Sequence, residues 1–240
     1  MQKFKLSISL LVLSLSAVVA QDFAEPFTTF ISERECYVIT TDGEEVYGTL
    51  RGSTEASGFI TRLRILDEDG NIRKFKAANV QRFAIRPGAF AKTITIDEQA
   101  TSIRHMIQTD HSNILDREWI YYDAQLMPRR KNKIALLQLL NPGFDEFIKV
   151  YDHRNGSKSM PISLGGIIVV GGEERTLLVV KGDGKPVIVR KASFKKSFVN
   201  LFSDEPEIYA SVRRNPKFKD FAGYIQAYND LKYKRVTAQR

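Results

Sequence analysis

Between Cys36 and Arg86 the apolar side chains fall on nearly every second position in short runs, and each run is stopped by residues that turn a chain. Such alternation buries one set of side chains and leaves the other in solvent, as in half-buried β-strands. Cys36 to Thr41 (CYVITT) is followed by Asp42-Gly43, a pair suited to positive φ in a hairpin, and Glu45 to Arg51 (EVYGTLR) forms the returning strand. Gly52 to Gly58 reads as a small-residue loop. Ile60 to Asp67 and Ile72 to Lys76 repeat the device around Glu68-Asp69-Gly70-Asn71. Ala77-Ala78-Asn79 reads as a single helical turn, and Val80 to Arg86 is a fifth strand stopped by Pro87-Gly88. Five short strands in about 50 residues predict a strongly curved, small barrel of SH3-like type, which also removes exposed sheet edges.

Ala89 to Arg117 alternates at Thr93, Thr95 and Asp97 and then turns polar around His105 to His111, so it reads as a connection with weak structure. Strand patterns return in Trp119 to Ala124, Ile134 to Leu140, Phe147 to Asp152, Ile167 to Val170, Thr176 to Lys181 and Pro186 to Arg190. Asn141-Pro142-Gly143, Asn155-Gly156 and Gly182-Asp183-Gly184-Lys185 punctuate them with turn chemistry, and this half reads as an antiparallel sheet. The period then changes. Phe194, Phe198, Leu201 and Phe202 fall at i, i+4, i+7 and i+8, on one stripe of a helix over Ser193 to Phe202 that is expected to cover the sheet. A second helix is predicted to begin near Asn215-Pro216 and to carry Phe218, Phe221, Ile225, Tyr228 and Leu231. Strands followed by segregated helices predict the α+β class. The organisation that follows is a signal peptide over 1–20, a small β-barrel domain over 21–92, a connection over 93–117, and an antiparallel sheet with C-terminal helices over 118–240. Within the first of these domains, Gln21 to Glu35 reads as a lead-in that packs Phe23, Phe27, Phe30 and Ile31 on the body.

The leader changes the picture most. Two lysines in Met1 to Lys5 precede an apolar run from Leu6 to Ala20 that ends in Ala17-Val18-Val19-Ala20, with small residues at Val18 and Ala20 for signal peptidase and Gln21 as the new N-terminus. About 15 apolar residues are too few for a comfortable membrane span, which needs about 20. Cys36 lies well downstream, so no cysteine is placed to accept lipid. The expected product is exported to the periplasm, the outer-membrane periphery or the medium, with no integral membrane span after signal removal. Loss of Lys3 and Lys5 lowers the positive surplus from eight to six. The remaining cations are scattered in small groups, Arg129-Arg130-Lys131, Arg190-Lys191, Lys195-Lys196, Arg213-Arg214 and Lys232-Tyr233-Lys234-Arg235, and read as a solvated face in preference to an anion-binding patch.

One cysteine and three histidines exclude a disulfide framework within the chain and leave almost no room for a four-ligand Cys/His zinc site. His105, Asp110 and His111 lack the spacing of a helical ligand pair, and nothing in the sequence brings His153 to them. Cys36 sits in a β-branched strand and reads as a buried, inert thiol. No G-x-S-x-G elbow occurs. Gly165-Gly166 and Gly171-Gly172 flank a four-residue strand, and Glu173 stands where a phosphate loop needs lysine. Asp145-Glu146 and Asp204-Glu205 could pair for glycoside chemistry, but their setting beside Gly143 and Pro206 reads as solvated turns. Asn155-Gly156-Ser157 fits a glycosylation acceptor and equally a turn. No catalytic, cofactor-binding or metal-binding residue is assigned.

Four segments carry a resemblance: LLQLLNPGFDEFIKVYDHRNGSKSM (Leu136 to Met160), the glycine-flanked strand at Gly165 to Gly172, LLVVKGDGKPVIVRKASFKKSFVNLFSDEPE (Leu177 to Glu207) and DFAGYIQAYNDLK (Asp220 to Lys232). With the strand–Asp-Gly–strand opening near Cys36, the chain resembles a family of exported envelope proteins of Bacteroidetes-type Gram-negative bacteria that has no established activity. In that pattern a cysteine follows the aspartate after the Phe-rich helix. Here Glu205 follows Asp204, so no covalent or redox role is implied for the position. The resemblance implies an envelope or secreted location and no site residue. The reading is therefore an exported, non-catalytic protein acting through surface binding, with an envelope protein or an anionic surface as partner. A hydrolase of an envelope polymer, its carboxylates assembled only in the fold, is the alternative. An acidic-glycan or nucleic-acid binding module is third, and export argues against nucleic acid.

Overall fold

Alternation in CYVITT produces β1 (Glu35–Thr40), with Cys36 and Val38 buried and Tyr37 and Ile39 half-buried on the opposite side. The structure is a computed structural model that describes residues 22–28, 34–56, 58–99, 110–127, 133–153, 162–164, 167–170 and 176–238. The leader over 1–20, Phe30, Ile31, His105, Arg129-Arg130-Lys131, Asn155-Gly156-Ser157 and the glycine pairs at 165–166 and 171–172 lie outside the described residues.

The Asp42-Gly43 turn forms as expected, with Gly43 at φ 87°, and leads into β2 (Glu45–Ala56). β3 (Phe59–Asp67), β4 (Ile72–Lys76), a 3-10 turn over Ala77–Asn79 and β5 (Val80–Ile85) follow. Gly52 to Ala56 is strand, not loop. β2 continues there beside β3 with register shifts at Leu50/Gly52 and Thr54/Glu55. Gly52 (φ 156°) absorbs the first shift, and the bulges let a long hairpin bend without losing its ladder. At Gly48 the two strands approach so closely that a Cβ would run into the Leu66 carbonyl.

Ala89 to Arg117 is more ordered than its pattern predicts: α1 (Ala89–Gln99) and α2 (Ser112–Leu115) occupy much of what is described. Thr93 to Ile96 is a β-branched run with strand propensity, but Ala91 and Thr95 are buried at i, i+4, and Thr95 Oγ1 donates back to the Ala91 carbonyl at 2.9 Å. Packing of that face overrides propensity.

β6 (Ile120–Leu126) and β7 (Ile134–Gln138) carry the main correction. Their sequences were expected to open the second sheet, yet β6 pairs with β5, and β7 joins β6 to β3. The ring β1-β2-β3-β7-β6-β5 closes as a six-stranded antiparallel barrel, and β4 lies on β3 outside it. Five strands would leave β5 an open edge; two strands from farther along the chain cap it and complete the ring. Val38, Leu63, Ile65, Phe83 and Leu136 are among the side chains that fill its core.

β8 (Ile148–Asp152), β11 (Thr176–Lys181) and β12 (Val187–Arg190) form a three-stranded antiparallel sheet, while β9 (Ile162–Leu164) and β10 (Ile167–Val170) pair as a separate hairpin. Three helices follow, not two: α3 (Phe194–Phe202), α4 (Pro206–Val212) and α5 (Phe221–Ala238). Pro206 is the first helical residue of α4, where its fixed φ and missing N–H cost nothing. Val150, Val179 and Val189 join Phe198, Phe202 and Phe221 in one hydrophobic cluster. A smaller cluster sets Leu137 of β7 and Leu139 just beyond it against Tyr151, Leu178 and Val180 of the sheet. The lead-in reaches two of these cores: Phe23 packs with Phe144 and Phe221, and Phe27 is buried in the barrel. Ala24 N–H and the Leu140 carbonyl (2.6 Å) and Phe27 N–H and Gln138 Oε1 (3.1 Å) fasten it.

Candidate functional site

A barrel strand sends alternate side chains inward to fill the core, so the outward set is left for other work. Register brings one outward row across four strands: Tyr47 of β2 stands opposite Tyr37 of β1, Tyr37 opposite Ala84 of β5, and Ala84 opposite Tyr121 of β6. Ala84 is a buried small floor between large neighbours. Trp119, just before β6, meets Tyr37 edge-on at 5.2 Å, and Tyr37 lies 5.5 Å from Tyr47. Arg86 stacks over Trp119 at 4.9 Å and Arg82 over Tyr121 at 5.5 Å. Tyr47 is 48% exposed, and Tyr37, Trp119 and Tyr121 are half-buried. The result is an aromatic face crossed by two guanidinium groups.

Both arginines are held by carboxylates. Arg86 binds Glu35 and Glu118, each at 3.0 Å. Arg82 takes Asp123 in a two-pronged pair, Nε to Oδ1 at 2.7 Å and Nη2 to Oδ2 at 3.1 Å, and the same Nη2 reaches Asp145 Oδ2 at 3.3 Å. Asp123, opposite Arg82 in the register and only 4% exposed, also accepts from the Tyr151 hydroxyl (3.0 Å) and the Lys149 ammonium (3.3 Å). Gln125 Nε2 donates in turn to the Tyr151 oxygen at 3.0 Å. Burial alone would raise the Asp123 carboxyl, but the Arg82 bonds, with Lys149 and Tyr151, hold it below the usual carboxylate range. The Asp123 pair raises Arg82 against its own burial, and burial beside Asp123 pushes Tyr151 well above an ordinary phenol. These groups are locked in their charge states. An open cleft of about 550 Å³ adjoins them, with Arg82, Asp123 and Lys149 in its wall.

The chain matches no family model, no curated protein and no solved structure. The geometry of this face and of the residues singled out above therefore carries the functional reading. Cys36 is fully buried, and burial, with Glu35 nearby, pushes its thiol up to about 12. Asp110 Oδ1 caps the Ser112 N–H at 2.9 Å, His111 flanks α2, and His153 meets the Phe59 ring at 5.6 Å. Among the described residues no group of three His, Cys, Asp or Glu is arranged to hold a metal ion.

The two acidic pairs divide. Glu146 is exposed as expected, but Asp145 is half-buried on Arg82. The expectation of solvated turn acids holds for Asp204, which is exposed, and is corrected for Glu205, which is 0% exposed and binds Arg235 of α5 at 2.7 and 3.0 Å. Asp204 holds Lys181 at 2.5 Å and the Tyr228 hydroxyl at 2.8 Å, while Lys181 and Lys232 lie over the Tyr228 ring at 4.7 and 5.2 Å. The turn is real, but α5 returns over it with Lys232 and Arg235, and β11 adds Lys181. Arg190, Lys191, Lys195, Lys196, Arg213, Arg214 and Lys234 are exposed, as the solvated-face reading expects.

Sequence reasoning singled out none of Tyr37, Tyr47, Trp119, Tyr121, Arg82 or Asp123. Two signals were present: aromatics at the outward positions of alternating strands, and an aspartate and an arginine inside the apolar runs WIYYDAQ and VQRFAI.

Proposed function

We propose that the chain is an exported, non-catalytic protein of the cell envelope that acts by binding, and that a protein partner meets the outer barrel face at Tyr47, Tyr37, Trp119, Tyr121 and Arg86. The observation that carries the reading is the row of tyrosines with its flanking Trp119, left on a rigid closed barrel and crossed by ordered guanidinium groups. Tyr, Trp and Arg are enriched among the residues that dominate interface free energy: the rings bury large area with few rotors and keep a polar edge, and the guanidinium presents its donors in a planar fork. An SH3-like relationship for the barrel belongs to the same proposal, since aromatic-lined grooves on such barrels hold extended peptides.

The charge pattern supports a protein over a polyanion. Each arginine of the face already holds two carboxylates, so little positive potential is left for phosphates or acidic sugars. A polymer hydrolase fits less well. Asp123 and Asp145 share one Arg82 nitrogen, and the depressed Asp123 carboxyl is the opposite of what a proton-donating acid requires.

The test compares the wild type with Tyr47→Asp and Ile72→Asp in binding to envelope fractions of host cells deleted for the protein. Ile72, on β4, is more exposed than Tyr47 and lies outside the closed ring. Loss of about tenfold or more in retained partner with Tyr47→Asp alone is expected, with stability unchanged to about 0.5 kcal/mol. Equal retention by all three proteins contradicts the assignment.

A further inference from the structure

We infer that the cleft beside Asp123 is a binding site for a small amphipathic carboxylate, its head group on Lys149 and its hydrocarbon part on the apolar wall. This goes beyond the barrel-face reading and does not depend on it. At about 550 Å³ the cleft lies within the range of small-molecule sites, roughly 300–1,000 Å³. Its charged wall residues are Arg82, Lys149 and Asp123; Arg82 is taken up by Asp123 and by Asp145 beyond the wall, which leaves Lys149 as the wall cation with the weakest hold on a carboxylate.

Lys149 keeps donor capacity that Asp123 does not use. Asp123 Oδ2 already accepts from the Tyr151 hydroxyl at 3.0 Å and from Arg82 Nη2 at 3.1 Å. A carboxylate oxygen offers about two lone-pair directions, so Lys149 is a third donor on a filled acceptor, and its 3.3 Å contact is the longest of the three. No second acceptor for Lys149 is found among the described residues, and its side chain remains 37% exposed. An ammonium with unused protons at the mouth of a walled cleft will take an anionic oxygen.

The rest of the wall sets the ligand's class. Val80, Ala124, Leu126 and Ile134 line the same space, and Leu126 is 43% exposed, so an apolar body has surface to cover. A single accessible ammonium suits a monoanion. A dianionic phosphate would bring its second charge toward Asp123, where like charges repel. The predicted ligand therefore has one carboxylate and a short hydrocarbon segment.

The probes are butyrate, hexanoate and octanoate, each with its matched alcohol and alkyl phosphate, titrated into the full mature chain by NMR and calorimetry. Saturable binding of the carboxylates is expected, tightening about fourfold per added methylene until the cleft is filled. The matched alcohols and phosphates should bind at least tenfold more weakly. Lys149→Met should weaken octanoate at least tenfold, Lys149→Arg should retain it within about threefold, and Leu126→Glu should abolish the chain-length dependence while the fold stays intact. Tyr47→Asp should leave octanoate binding unchanged, which separates failure here from failure of the barrel-face reading. Absence of saturable binding, equal binding of the alcohol, tighter binding of the phosphate, or insensitivity to Lys149→Met would overturn the inference.

Discussion

Asp123 shows how one residue ties stability to the arrangement beside the face. Its carboxylate is nearly water-free, and three donors from β5 and β8 converge on it. A carboxyl held below its unfolded pKa stabilises the fold fully above that value and ceases to do so as pH falls through the folded one. Asp123→Asn is expected to lower stability at neutral pH by about 3 kcal/mol, since it leaves Arg82 without its main partner. The gap from the wild type should close on acidification below about pH 4, which urea unfolding across pH 3 to 7 would read directly. Cys36 makes the opposite case. Its thiol, pushed up to about 12 inside the barrel, should resist iodoacetamide at pH 8 in the native protein and react within minutes in denaturant. Rapid native labelling would mean that β1 opens. The burial of Cys36 was readable from its β-branched neighbours. The role of Asp123 was not, because a charged residue in a strand declares itself only when the opposing strand is known.

Elements explain what the chain order conceals. The lead-in contributes a side chain to each of two cores, and Phe27 is the one that enters the barrel, with the Arg117 guanidinium over its ring at 5.1 Å. Phe27→Ala should cost about 3–5 kcal/mol in denaturant unfolding, whereas Thr28→Ala, at an exposed neighbour, should cost less than about 1 kcal/mol. Comparable losses at both positions would contradict the packing. The hairpins β1–β2 and β3–β4 were legible because Asp42-Gly43 and Asp69-Gly70 place glycine where φ is positive, at 87° and 83°. Ring closure was not legible, because β5 finds its partner only after α1 and α2, and the period-2 pattern of β6 and β7 states which face is buried but not which strand lies alongside. For the same reason the outward tyrosines were visible one by one, while their alignment into a row needed the register. α1 was hidden by Thr93-Ile94-Thr95-Ile96, whose local preference tertiary packing overrides, and α4 by a proline that starts a helix and reads equally well as a turn.

At the scale of the whole molecule, the positive surplus of eight coexists with a barrel face whose arginines are neutralised in place. Association through that face should therefore depend weakly on salt, changing less than about tenfold between 50 and 200 mM, whereas a binder of polyanions that makes many phosphate contacts would lose about 10³-fold or more. Among the described residues no helix is long and apolar enough to cross a membrane. The proposal thus joins an exported body to a partner held by rings and ordered hydrogen bonds. A photo-crosslinking amino acid placed at Tyr47 in living host cells, with a second placed at exposed Lys195 on α3, tests it most directly. The account predicts one discrete protein adduct at Tyr47, formed by the processed chain and lost when Trp119→Ala is added, with none at Lys195. Equal adducts at the two positions, or none at Tyr47, would contradict it.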